Sequence, residues 1–169
     1  MNDLAFVDVS RMTLFRGFDE DFVRLLDLFF VSNSYTEGAM ILEQGKFQNT
    51  FYLVVAGEVE VFHHLEEGKD LHLGHLSAGQ FFGEMNLFDP GIATASVRSL
   101  TQVKTLEISN DKFRYFIQSK PAAAADFTFQ LAQVIVKRFR QSKDSLIEEL
   151  TNPESIRKAQ LIDANRSVA

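Results

Sequence analysis

The glycines of this chain are concentrated in its middle, and that distribution limits the fold more than any other feature. Eight of the nine glycines lie between Gly38 and Gly91, and none follows Gly91. Glycine is favoured in tight turns and costs stability inside helices. The middle of the chain is therefore predicted to consist of short strands joined by turns, and the remainder to be helical.

Short apolar runs predict where the strands lie. Val59 and Val61 alternate with acidic residues, which is typical of a strand with one face in the core and one in water. The polar run from Glu66 to Asp70 predicts a hairpin turn between 59–64 and 71–75. Such spacing favours an antiparallel sandwich or barrel over about 35–108. The predicted strands are Ala39–Leu42, Phe51–Val55, Val59–Phe62, Leu71–Leu73, Ala95–Ser99 and Val103–Ile108.

Helices are predicted on both sides of this β-region, over 19–31, 109–119 and 121–150. Asp19 and Ser109 suit the N-cap position, and Pro121 suits a first helical turn. Neither glycine nor proline interrupts the last helix. We expect one mainly β domain with flanking helices over 1–150, followed by a tail over 151–169 with no DNA-binding domain.

Composition argues against several classes of function. The chain has no cysteine, and its formal charge of −6 lacks the basic excess typical of a nucleic-acid partner. Met1 to Ser10 does not resemble a signal peptide, and no apolar run is long enough to span a membrane. The common phosphate-loop, dinucleotide and nucleophile-elbow motifs are missing. We therefore expect a cytoplasmic protein that is not an enzyme and contacts neither nucleic acid nor membrane.

The run from Phe81 to Arg98 carries the most specific chemistry. It places Gly83 and Glu84 before a short apolar turn, a loop and a strand. Backbone amides at the start of a short helix can point at a ligand oxygen, and Gly83 allows a close approach. The Glu84 carboxylate would repel a phosphate but would accept a hydrogen bond from a sugar hydroxyl.

These residues, together with several other motifs in the same order, resemble those of the cyclic nucleotide-binding domain family. The family includes the catabolite activator protein and the regulatory subunit of cyclic AMP-dependent kinase. The resemblance covers Leu14 to Leu150. It implies an antiparallel, jelly-roll-like β-roll with an N-terminal helix and a long C-terminal helix. It also implies that the segment Phe82 to Val97, here named the cassette, binds the ligand. The matching motifs are Leu14–Phe18, Glu43–Gly45, Tyr52–Val54, Gly57–Val59, Gly79 and Phe82–Glu84.

By this resemblance Glu84 accepts a hydrogen bond from the ribose 2′-hydroxyl. The family normally places an arginine nine residues later to pair with the cyclic phosphate, and here that residue is Ala93. Arg98 matches a family position on the outward side of its strand. Losing the arginine costs about 1.5–3 kcal/mol, so we expect weak binding of cyclic AMP or cyclic GMP. The candidate ligand-binding residues are Phe82, Gly83, Glu84, Met85, Asn86, Ala93, Thr94 and Ala95.

Each of these residues also has a purely structural interpretation. Glu84 could simply cap backbone amides in a cassette that is kept for folding. Thr94 could donate its hydroxyl to a phosphate, or merely fit the following strand. Asn86 could add a hydrogen-bond donor to the pocket, or partly block it.

The four histidines flank one predicted hairpin. A turn centred near Gly68 predicts that His63 lies opposite His72, which makes a surface metal site conceivable. Without a third ligand of clear geometry, solvated strand histidines are the favoured interpretation. We therefore expect no metal.

The last helix carries two apolar stripes, which is more than a monomer needs. One stripe, formed by Phe127, Leu131 and Val134, is expected to face the β-roll. The other stripe predicts a parallel homodimer, and packing of both stripes within one chain is the alternative. The predicted interface residues are Ala132, Ile135, Phe139, Ser142 and Leu146. We expect a stand-alone sensory module with weak or altered nucleotide binding, and the alternative is a dimerisation or protein-interaction module with an empty pocket.

Overall fold

The computed structural model describes residues 12–65 and 68–152, apart from the side chains of Leu146 and Glu149. Met1 to Ser10, two residues of the predicted hairpin turn (66–67) and the tail from 153 onward lie outside the described residues. The chain divides into two units, Met1–Thr128 and Phe129–Ala169, and the border lies inside the last helix. No helix of the described part combines the length and apolar character needed to cross a membrane.

The described residues contain ten strands, and every pair of neighbouring strands is antiparallel. The predicted strands are all present: four are longer than predicted, by one to five residues, and the two that were predicted to begin at Ala39 and Ala95 are one residue shorter. The strands are β1 (Val31–Tyr35), β2 (Met40–Leu42), β3 (Phe47–Gln48), β4 (Thr50–Ala56), β5 (Glu58–His64), β6 (Asp70–Ser77), β7 (Phe81–Phe82), β8 (Gly91–Ile92), β9 (Ser96–Ser99) and β10 (Val103–Ser109).

The strands form two four-stranded sheets and one two-stranded ribbon. The sheets have the orders β1-β10-β4-β7 and β2-β9-β5-β6, and the ribbon pairs β3 with β8. One apolar cluster takes buried side chains from both sheets, so the core lies between them. The architecture is the mainly β roll with flanking helices that the sequence predicts. The cluster contains Leu42, Tyr52, Val54, Val59, Phe82, Ala93, Val97 and Val103.

Within residues 12–152, four α-helices accompany the roll: α1 (Glu20–Asp27), α2 (Glu84–Phe88), α3 (Asn110–Ser119) and α4 (Pro121–Thr151). The predicted N-caps are confirmed. The Asp19 carboxylate accepts from the backbone amide of Phe22 at 2.8 Å, and the Ser109 hydroxyl accepts from that of Lys112 at 3.3 Å. These caps satisfy amides that have no partner within the first helical turn.

Two predicted boundaries are wrong. The helix predicted over 19–31 ends at Asp27, and the β-region begins at Val31 rather than near residue 35. Phe29 and Phe30 have left the helix but are still buried, so they continued its apolar periodicity past its true end. The strand β1 lies at a sheet edge and is mostly exposed, which removes the alternation that marks a half-buried strand.

Phenylalanine rings join the helices of the first unit, as the sequence predicts for core residues. The ring of Phe127 is fully buried and lies 6.1–6.4 Å, centroid to centroid, from four other rings. Edge-to-face and tilted arrangements at these distances stabilise aromatic clusters. The four neighbouring rings belong to Phe15, Phe30, Phe113 and Phe116.

Candidate ligand site

The structure brings all eight predicted ligand-binding residues to one cavity of about 370 Å³. They approach it from β7, from α2 and from the loop between β8 and β9. Two lining residues outside the cassette, Leu42 on β2 and Val61 on β5, were not predicted for the site. The cavity is lined by Phe82–Asn86 and Ala93–Ala95 together with Leu42, Val61, Asp89, Gly91, Ile92 and Val97.

The helical part of the cassette begins at Gly83, and this position requires a residue without a side chain. Its φ of 73° and ψ of 18° lie in the left-handed region, which other residues rarely adopt. A Cβ atom at this position would lie 2.6 Å from the carbonyl oxygen of Thr50 and 3.2 Å from the Tyr52 ring. The Tyr52 ring in turn stacks on Phe82 at 4.7 Å between centroids. The chain therefore passes against β4 only because residue 83 is glycine.

The short helix α2 presents its residues to the cavity at different depths. Glu84 is half-buried in the first turn, whereas Met85 is 65% exposed. Asn86 is only 8% exposed, and its backbone amide donates to the carbonyl of Gly83 at 3.1 Å. The cavity therefore has a polar wall at Glu84 and Asn86 beside the apolar walls from the sheets.

Two backbone hydrogen bonds join Ala93 to the loop before β3. Its amide donates to the carbonyl of Lys46 and its carbonyl accepts from the amide of Gly45, both at 2.9 Å. Ala93 is 6% exposed and belongs to the core cluster between the sheets. The backbone at this position is consequently well anchored, and the side chain that it carries decides what the cavity contains there.

Two residues outside the cassette, His63 and Gln44, position its loop, a role that the sequence predicts for neither of them. The Nδ1 atom of His63 donates to the carbonyl of Thr94 at 2.8 Å. The side-chain nitrogen of Gln44 lies 3.5 Å from the Nε2 atom of His63. The same side chain donates to the carbonyl of His64 at 3.3 Å and accepts from the backbone amide of His64 at 2.8 Å. Only the pairing of distant segments reveals these bonds, so no local sequence pattern could have indicated them.

The charges around the cavity are unbalanced. Its described lining contains two carboxylates, Glu84 and Asp89, and no lysine, arginine or histidine. The nearby Lys46 pairs with Glu43 at the surface, and Arg98 pairs with Glu60 at 2.7 Å on the outside of the roll. As expected, Arg98 does not line the cavity. In this arrangement no described side chain of the lining can neutralise a phosphate.

The predicted pairing of His63 with His72 is wrong. His63 lies opposite Leu71, and His72 lies opposite Phe62. The two pairs nearest the turn are His64 with Asp70 and His63 with Leu71, so the register next to the turn differs from the predicted one by one residue. A β-bulge between Val61 and Phe62 lies farther from the turn and shifts the register only of the pairs beyond it.

On the outer face of this hairpin, His72 and Arg98 both bond the Glu60 carboxylate. The Nδ1 atom of His72 lies 3.1 Å from Oε1, and the guanidinium of Arg98 donates to Oε2. These bonds, first that of Arg98 and then that of His72, lower the pKa of Glu60. The guanidinium also lies over the Phe62 ring, 4.9 Å from its centroid.

The helix α4 presents part of its predicted interface to solvent. Ala132, Phe139 and Ser142 are exposed, Ile135 is half-buried, and the side chain of Leu146 lies outside the described ones. Phe129 and Val136, which were not predicted for this interface, are 65% and 46% exposed. Of the stripe predicted to face the β-roll, Phe127 and Leu131 are buried and Val134 is half-buried. The large apolar side chains exposed on the described part of α4 are therefore Phe129, Val136, Phe139, Ile147 and Leu150.

Comparison with known proteins agrees with this geometry. The family model described as "Cyclic nucleotide-binding domain" matches residues 32–120. The cAMP-activated global transcriptional regulator CRP of Haemophilus influenzae is 37% identical over 110 residues, which are 64% of this chain and 49% of that regulator. The chain thus spans about half the length of this curated relative.

Two solved structures are also similar. The catabolite activator protein of Thermus thermophilus superposes with a TM-score of 0.70 at 28% identity, covering 79% of this chain and 61% of that one. A cyclic nucleotide-binding domain from Methylobacillus flagellatus has the same fold, with a TM-score of 0.78 at 21% identity and coverage of 88% and 86%. From its fold, its cassette and the match over 32–120, the chain belongs to the cyclic nucleotide-binding domain family.

Proposed function

We propose that this chain is a sensory module whose cavity binds a small ligand and whose affinity for cyclic AMP and cyclic GMP is low. The cavity lining carries the proposal: Glu84 and Asp89 contribute negative charge, and the described lining contributes no cation. A cyclic nucleotide brings its own negative charge into the same space. The phosphate would therefore meet uncompensated carboxylates in a half-buried site, which weakens binding.

The size of the effect follows from the missing arginine at position 93. A charge-assisted hydrogen bond contributes about 1.5–3 kcal/mol, which corresponds to roughly ten- to hundredfold in affinity. Glu84 is left to hold a ribose hydroxyl. We expect calorimetric titration of the purified protein to give dissociation constants in the high micromolar range or weaker for both nucleotides. A submicromolar constant would refute the proposal.

The variant Ala93→Arg tests the cause of weak binding. It should tighten cyclic AMP binding at least tenfold, because the residue lines the cavity and would supply the missing cation. Ala125→Arg is the matched control, because it adds the same positive charge at a residue that is exposed on α4 and lies outside the cavity. Adding Glu84→Gln to Ala93→Arg should weaken binding again if Glu84 accepts the ribose hydroxyl. No loss would favour a purely structural Glu84.

The alternative function is an interaction module whose cavity is empty. Asn86 supports this alternative, because it is buried at the cavity wall where it can fill ligand space. If Ala93→Arg leaves the titration unchanged, the variant Ala93→Arg with Asn86→Ala separates the two cases. Recovered binding would show that Asn86 blocks a working site, whereas continued absence of binding would favour the interaction module.

We further propose that the chain acts in the cytoplasm as a homodimer through α4, and that it regulates a protein partner without catalysing a reaction. Phe129, Val136 and Phe139 support dimerisation because they leave large apolar side chains exposed along one helix. The lack of cysteine fits a reducing compartment, and the charge of −6 is unfavourable for direct contact with nucleic acid.

A further inference from the structure

The β5–β6 hairpin gathers three metal-ligating side chains outside the ligand cavity. Glu60 on β5 and both His72 and His75 on β6 each offer one ligand atom, and these atoms all lie within 4.8 Å of one another. Glu60 and His75 are direct partners across the strand pair, and His72 is three residues from His75.

A β-bulge explains why both histidines share the face of Glu60. In a regular strand, residues three apart point to opposite faces of the sheet. Here Val61 lies opposite Gly74 and Phe62 lies opposite His72, so Leu73 has no partner of its own. This additional residue reverses the alternation and turns His72 to the same face as His75. The convergence of the three side chains therefore results from an irregular backbone, not from their sequence spacing.

The distances suit a bound cation. His72 Nδ1 lies 3.1 Å from Glu60 Oε1, whereas two ligand atoms of a tetrahedral ion with bonds near 2.0 Å are about 3.3 Å apart. The centroids of the His72 and His75 rings lie 4.5 Å apart at an interplanar angle of 63°, so the two rings are close but not stacked. A small movement of the exposed His72 and His75 side chains would bring the three ligand atoms around one ion.

The donor set selects the class of ion. Two imidazoles and one carboxylate are preferred ligands of zinc and of neighbouring first-row divalent metals, and such three-ligand sets leave a coordination position for water. Arg98 bonds Oε2 of Glu60 and thereby orients the carboxylate while Oε1 remains directed at His72. Bonds of this kind from a neighbouring side chain commonly hold metal ligands in place.

We infer that Glu60, His72 and His75 form a surface binding site for a divalent first-row transition-metal ion such as Zn²⁺. This site is distinct from the ligand cavity, none of whose lining residues it shares. It revises the expectation that the hairpin histidines bind no metal, because that expectation depended on the lack of a third ligand. Glu60 is that ligand, and the bulge places it within reach.

His64, on the same hairpin, supplies a matched control. His64 pairs with Asp70 at 2.6 Å, and its side chain is 49% exposed, against 48% for His72. Among the described residues, the groups that could hold a metal through three ligands include His72 and His75 but neither His63 nor His64. His64→Gln therefore makes the same chemical change on the same hairpin without removing a proposed ligand.

The test is calorimetric titration of the tag-free, metal-free protein with Zn²⁺. We expect one ion per chain, with binding weakened roughly tenfold or more by His72→Gln and by His75→Gln, and changed less than about twofold by His64→Gln. Circular dichroism melting of each variant without metal checks that it folds. Co²⁺ gives a second measurement, because its visible absorption spectrum changes when imidazoles coordinate it.

Three outcomes would overturn the inference. They are no saturable Zn²⁺ binding, equal loss of binding in His64→Gln, or retained binding in the variant that lacks both His72 and His75. The first would show that the bond between His72 and Glu60 is only a surface ion pair. The other two would place the bound ion elsewhere on the chain.

Discussion

Replacing Gly83 by alanine should destabilise the protein through two separable effects. The first is the left-handed backbone, since a φ of 73° costs a side-chain-bearing residue roughly 1–2 kcal/mol. The second is overlap, since the new Cβ would lie 2.6 Å from the backbone oxygen of Thr50, which cannot rotate away. Forcing additional atoms into a packed site costs roughly a further 1–3 kcal/mol. The total is about 2–5 kcal/mol.

Gly38→Ala separates the two effects. Gly38 has a similar φ of 80°, but a Cβ there would meet nothing within 4 Å. Only the backbone cost applies, so we expect a loss of about 1–2 kcal/mol. In a chain of this size 1 kcal/mol lowers the melting temperature by roughly 2–4 °C. The midpoint should therefore fall by about 2–8 °C in Gly38→Ala and by about 4–20 °C in Gly83→Ala.

The assay is thermal unfolding followed by circular dichroism, with urea unfolding to obtain the free energies. Any gain from reduced flexibility of the unfolded chain is common to both variants and cancels in the comparison. Equal destabilisation of the two variants would refute the reasoning, because it would mean that β4 yields at Thr50 without cost. The cassette would then not be held against β4 by its glycine.

Two further predictions concern pH and assembly. Burial, followed by the 2.7 Å hydrogen bond to Glu107, raises the pKa of Tyr35, so the folded state keeps this proton to higher pH than the unfolded state does. The free energy of unfolding should consequently fall as pH rises above about 10. In urea unfolding, Tyr35→Phe should make that fall smaller, whereas Tyr115→Phe, at an exposed position, should leave it unchanged. Phe139→Glu should convert a dimer to a folded monomer in light scattering while Gln141→Glu does not; an unmodified protein that is monomeric at tens of micromolar would contradict dimerisation through α4.

Several features of this protein could be predicted because their signals are local. Alternation of acids with Val59 and Val61 shows a half-buried strand, and the side chains of Asp19 and Ser109 cap the helices that follow them. The cassette is one continuous segment, so its residues could be identified together. The structure collects all eight candidate residues at one cavity for the same reason.

Other features arise only when distant segments pair. Phe29 and Phe30 continue a helical apolar pattern, yet they lie beyond the helix, because burial against other elements does not require helical backbone. The bulge of the hairpin lets His72, opposite Phe62, share one face with His75, opposite Glu60. Neither result could be predicted from a local pattern, because burial beyond a helix end and the register of two strands both depend on distant segments.

What the sequence by itself determined is therefore the set of elements, the cassette and the absence of an arginine at position 93. Tertiary structure decided the part of the cavity lining outside the cassette, the hydrogen bond from His63 to Thr94, and the grouping of Glu60 with two histidines. The physical reason is one of range. Backbone preferences, capping and alternation act within a few residues, whereas a cavity or a ligand cluster depends on side chains that only sheet register brings within a few ångströms.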